Sequence, residues 1–191
     1  MLITDFVQQG SVYRLAIFPK DPTKPTRTYT FPPSVVAGSG AYDPEKGLFF
    51  NLNSVSSSVA ALTAFDIGSG VVVLNLAVQC GNIVKVWVEE SHPDFTSRLW
   101  GARANFTNNQ LSYDLVNINL ITGACPALTI PSAGIVTAFA FDQRNGVLFY
   151  HDAADSGNFL RSTSVRTGRS TQLALLTNFP LSDLAVRFVE H

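Results

Sequence analysis

Charge is scarce in this chain. Only 14% of its 191 residues are Asp, Glu, Lys or Arg, against about 25% in an average globular protein. Thirteen basic residues nearly balance 14 acidic ones, and no basic cluster stands out. That excludes the phosphate-tracking surface on which nucleic-acid binding depends. Long apolar runs are also missing. The most apolar stretch, Val71–Val78, is interrupted by Asn75 and falls far short of the roughly 20 residues a bilayer span takes, so no membrane span is expected. The opening MLITDFVQQG has neither a charged leader nor a long apolar segment, so no signal peptide is read there. Secretion stays open, because the numbered chain can equally be a mature or re-started form.

Cysteine is limited to Cys80 and Cys125, with no Cys-x-x-Cys pair and no second cluster of ligands. The first reading is two small buried hydrophobes and the second a disulfide; pairing and redox compartment stay open at this stage. One sequon, Asn105-Phe106-Thr107, makes Asn105 a glycosylation acceptor if the chain is exported. It tilts the localisation slightly toward the extracellular side over the cytoplasm. Catalytic signatures are absent as well: there is no Gly-x-Ser-x-Gly elbow, phosphate loop or His-Glu-x-x-His, and no helix pattern follows the glycines of VVAGSGAYD. No catalytic residue, metal ligand or cofactor is assigned, and the chain is read as non-enzymatic.

What is present is apolar and strand-forming. The chain is 46% hydrophobic and 11% aromatic, with 14 Phe. It is rich in Val, Ser, Thr and Asn and poor in the helix formers Glu and Lys, a mix that favours strands and turns around one sizeable core. The sequence also repeats itself. AYDPEKGLFFNL at 41–52 returns as AFDQRNGVLFYH at 140–151. Both read as β-hairpins in which Asp43 or Asp142 accepts a hydrogen bond from a backbone N–H two residues on, and Gly47 or Gly146 takes a positive φ. A second element recurs as TAFDIGSG, VNINLITG and STSVRTGR, each followed by an apolar segment. Its closing glycines, Gly70, Gly123 and Gly168, stand 53 and 45 residues apart. That period leaves room for four strands and points to a radial repeat.

The blade-like pattern, an aromatic-Asp hairpin followed by a strand ending in Thr-Gly, resembles the β-propeller repeats of the YVTN, NHL and YWTD-like kind over most of 34–181. The resemblance implies an all-β propeller. Three units follow, at 34–82, 83–134 and 135–181. The middle one is degenerate, because VKVWVEESHPDFTSRLWGARANF has lost the Asp-x-x-x-Gly loop. The terminal segments 1–33 and 182–191 would form a fourth, closing blade, with LITDF, VYRLAIF and RTYTF as its outer strands. The single domain 1–191 is thus expected to be a four-bladed propeller of four-stranded antiparallel blades, with part of a larger propeller as the alternative.

Two polar clusters stand apart from the repeat. Glu90, His92 and Asp94 alternate in EESHPD, as metal ligands could; a solvated loop is the preferred reading. His151, Asp152 and Asp155 open HDAADSGN, read as a turn-rich rim loop. Trp87 and Trp100 could stack on a sugar, but each sits beside an apolar run and is read as core. The expected function is a non-enzymatic binding or structural module that presents rim loops to a protein partner or to an assembly of its own copies. A carbohydrate-binding, lectin-like propeller is the alternative, and a metal-dependent hydrolase or lactonase ranks below it.

Overall fold

Period-two alternation accounts for how this chain stacks its strands. The computed structural model describes residues 3–9, 12–18, 23, 27–31, 40–54, 59–90, 92–94, 96, 98–107, 110–131, 135–176 and 184. Among these described residues the regular elements are fifteen strands in four antiparallel sheets. Sheet I holds β1 (Ile3–Gln9), β2 (Val12–Phe18) and β3 (Arg27–Phe31). Sheet II holds β4 (Gly40–Asp43), β5 (Leu48–Ser54), β6 (Ala60–Asp66) and β7 (Val71–Val78). Sheet III holds β8 (Ile83–Val88), β9 (Leu99–Thr107), β10 (Gln110–Ile118) and β11 (Ala127–Thr129). Sheet IV holds β12 (Ile135–Asp142), β13 (Val147–Ala154), β14 (Gly157–Ser164) and β15 (Ser170–Leu176). Within each sheet the strands follow in chain order, a simple meander. The segment 182–191, expected to supply a closing strand, lies outside the described residues except for Leu184.

Sheet III shows why the sheets stack. Successive side chains of a strand point to opposite faces. Val86, Val88, Leu99, Val116 and Ile118 therefore enter one apolar cluster with Phe50, Leu62 and Val78 of sheet II. Trp87, Trp100, Ala102 and Leu115, each one place along, enter another with Phe139, Phe141, Leu148 and Tyr150 of sheet IV. A sheet that is wet on one side could not carry both sets; a blade between two neighbours buries them. Sheet I joins sheet II through Tyr29, whose ring meets Phe65 edge-on at 5.1 Å and whose hydroxyl donates to the Ile67 carbonyl at 2.8 Å.

The repeated hairpins share one geometry. Asp43 pairs with Leu48 and Asp142 with Val147. Each Asp Oδ1 accepts two loop N–H groups, from Glu45 and Lys46 at 3.0 and 3.1 Å, and from Arg144 and Asn145 at 3.0 Å each. Gly47 and Gly146 close the loops at φ 65° and 62°. The second recurrent element uses the same device. Asp66 and Asn119 Oδ1 cap the turns that end at Gly70 and Gly123. Ser164 stands in the same place before Gly168, whose N–H reaches the Ser164 carbonyl at 2.9 Å.

The apolar segment after Gly123 supplies the fourth strand of its sheet as the three-residue β11, preceded by Pro126, which has no N–H to lengthen the ladder. One expectation needs correction. HDAADSGN is not a rim loop. His151 and Asp152 are fully buried in β13, paired with β12 and β14, and only Asp155 and Ser156 form the turn.

Candidate functional site

In a meander of four strands the first and third connections leave the same end of the sheet. The structure ties them together there: Ile67 N–H donates to Gly47 O at 3.0 Å in sheet II, and Val165 N–H to Gly146 O at 2.9 Å in sheet IV. In sheet III the equivalent bond runs from Leu120 N–H to Thr96 O at 2.8 Å. Thr96 thus takes the backbone role of the missing glycine, at the end of a segment, 89–98, that is longer than the tight turns on either side. This segment is where the chain departs from its own repeat, and the structure holds it from both neighbours.

On the sheet II side, Arg98 is the tie. Its Nη1 donates to Asp43 Oδ2 at 2.8 Å and its Nη2 lies 2.9 Å from Glu45 Oε2. Nη2 also donates to the Glu90 and His92 carbonyls, which anchors the loop's own backbone. Asp43 therefore does two jobs: Oδ1 closes its turn and Oδ2 holds the neighbouring sheet. Burial works against the Arg98 charge, but the hydrogen bonds it donates to Asp43 and Glu45 outweigh it and hold the guanidinium above its ordinary range. The same contact holds the exposed Glu45 carboxyl below its usual value, with Lys46 adding to it.

On the sheet IV side, Glu90 N–H donates to Gln143 O at 2.8 Å. Glu89, fully buried, receives Trp100 Nε1–H at 3.0 Å and Arg166 Nε–H at 2.7 Å. Gly146 backs against this carboxylate, and a Cβ there would stand 2.7 Å from Glu89 Oε1. Between the loop and sheet IV lies an open cleft of about 580 Å³, lined by Glu89, His92, Pro93, Trp100, Asn117, Val165 and Arg166. Glu89 is its acidic floor, Arg166 a half-exposed cation at its side, and Pro93, Val165 and the indole its apolar wall.

The residues singled out from the sequence meet different fates. Glu90 serves through its backbone. His92 Nδ1 lies 2.9 and 3.1 Å from the Asp94 carbonyl and N–H, and the Asp94 carboxylate holds Thr96. All three are occupied in shaping the loop, and only His92 reaches the cleft. Among the described residues, no three His, Cys, Asp or Glu side chains are grouped to hold a metal. His151 Nδ1 lies 2.6 Å from Thr137 Oγ1, and Asp152 accepts from Arg161 Nε at 2.8 Å, both away from the rim loops. Trp87 stacks on Phe141 at 5.7 Å inside the core. Asn105 lies within β9, and its amide donates to Asp114 at 2.7 Å. Cys80 and Cys125 form a disulfide, the second of the two sequence readings. Sequence reasoning missed Glu89, Arg98 and Arg166. The available signal was charge at strand ends in a chain otherwise so poor in it.

These features define the class: the chain is a β-propeller repeat protein. No family model and no curated protein matches it. Among solved structures it is similar to TolB from Acinetobacter baumannii, at a TM-score of 0.62 and 10% identity over 91% of this chain and 41% of that one. It is equally similar to a nidogen/laminin complex, with a TM-score of 0.62 and 11% identity over 93% of this chain and 63% of that one. It spans less than two thirds of either, and at such identities the likeness is one of fold.

Proposed function

We propose that this chain is a non-enzymatic protein-binding module that engages its partner through the rim at 89–98. The observation that carries this reading is the loop itself. Among the first and third connections of sheets II to IV it alone lacks a turn closed by glycine, yet it is braced by Arg98 on one side and Glu89 on the other, beside an open cleft. A surface held in one shape before a partner arrives loses little entropy on binding. One of the similar folds was solved in a nidogen/laminin complex, a use of such a propeller that fits the reading. The four sheets are proposed as consecutive blades of a single unit spanning 1–191.

A photocrosslinking amino acid at Pro93, compared with one at the exposed Val72 of β7, tests the proposal. Crosslinks to one protein from position 93 only, with binding of that purified protein weakened at least tenfold by Arg166→Ala, are expected. Crosslinks from position 72 alone would move the interface to the outer strand.

A further inference from the structure

Cys80 follows β7 at the margin of sheet II, fully buried, and Cys125 lies between β10 and β11 at the outer margin of sheet III. Their Cα atoms are 5.3 Å apart across a sequence separation of 45. The backbones approach closely here as well: Gln79 N–H donates to Gly123 O at 3.3 Å, and a Cβ on Gly123 would collide with the Ala77 carbonyl. The outer margin of sheet III needs such a fastening. β11 pairs with β10 over only three residues, Ala127 to Thr129, while β7 and β15 each pair over most of their length.

We propose that the Cys80–Cys125 disulfide is a permanent lock between sheets II and III, and that the chain matures in a compartment that oxidises thiols. The two thiols release two protons and two electrons. One thiolate attacks the disulfide of an oxidant such as a protein dithiol oxidase or glutathione disulfide, the other displaces it, and the oxidant leaves as two thiols. Cys80 then lies in the same apolar cluster as Val78, Ile118 and Leu120, with Cys125 partly buried against it, so one of the two sulfurs is shielded from a reductant. Bonds of this kind persist in oxidising compartments and are rare where thiols are kept reduced. This inference is independent of the partner-binding proposal, since it concerns a seam and a compartment rather than the cleft.

Alkylating free thiols at the moment of lysis, in the cells that make the protein, followed by mass spectrometry, tests the compartment. The expected product is an unalkylated chain about 2 Da lighter than the dithiol form, with a crosslinked peptide joining Cys80 to Cys125. Alkylation at both cysteines would overturn the proposal. Reduction of the purified folded protein tests the lock. It should lower Tm by roughly 5–15 °C and raise proteolysis within 119–131, and the Cys80→Ser/Cys125→Ser double variant, if it folds, should match. An unchanged Tm on full reduction would overturn the lock.

Discussion

Two glycines with the same backbone angle carry different burdens. Gly47 and Gly146 both close an Asp-headed hairpin in the left-handed region, at φ 65° and 62°. A Cβ at Gly47 meets nothing within 4 Å, while one at Gly146 meets Glu89 Oε1 and Val165. Gly47→Ala should therefore cost only the conformational penalty, about 1–2 kcal/mol. Gly146→Ala should cost distinctly more and disturb the Glu89–Arg166 pair. Denaturant midpoints of the two variants give the comparison, and equal losses would show that the crowding at Glu89 is relieved freely. Carboxylates at the rim also set the acid response. Glu45 is held low chiefly by Arg98, and Asp66 by the Ser69 and Gly68 backbone N–H groups. A folded-state value below the unfolded one adds stability that is complete above about pH 5 and is lost as pH falls through the folded values. The Tm of Glu45→Gln/Asp66→Asn should thus fall less steeply than that of the parent chain between neutrality and strong acid.

At the scale of the element, the contrast is between turns that hold themselves and a loop that is held. The Asp-headed turns close through bonds made within their own few residues, so they need only their own sequence. The 89–98 segment depends on residues from both neighbouring sheets. Arg98→Met removes one brace and leaves the Asp43 carboxylate buried without its cation, a loss of about 3–5 kcal/mol. Lys46→Met, at an exposed site, should stay within about 0.5 kcal/mol. In hydrogen exchange, the Glu89, Glu90 and Leu120 amides should be protected in the parent chain, because they donate to the Arg98, Gln143 and Thr96 carbonyls respectively. Protection at Glu90 should fall in Arg98→Met while β9 and β10 keep theirs. Much of this element's surroundings is legible in sequence: the loss of the Asp-x-x-x-Gly signature marks the place. Its architecture is not, since Glu89 and Arg166 are 77 positions apart and Asp43 and Arg98 55.

For the whole molecule, the strand content and the order of the sheets follow from the repeat, while the closure of the ring is a matter of packing. A closed arrangement, with 182–191 joining sheet I, predicts a monomer with a radius of gyration of about 16 Å. An arc of a larger propeller predicts an elongated scattering profile or an obligate oligomer, a geometry in keeping with the 41% and 63% of the similar chains that this one spans. Native mass and small-angle scattering separate the two.

By itself, the amino-acid order determined the strands, their alternation and the capped turns, because the bonds that make them link residues a few positions apart and the side-chain period decides which face is buried. It also marked the blade that breaks the pattern. Only the tertiary structure decided that Cys80 meets Cys125, that His151 is buried rather than displayed, and that Glu89, Arg98 and Arg166 brace a cleft. Each of these depends on how one sheet lies against the next, a relation that no local stretch of sequence encodes.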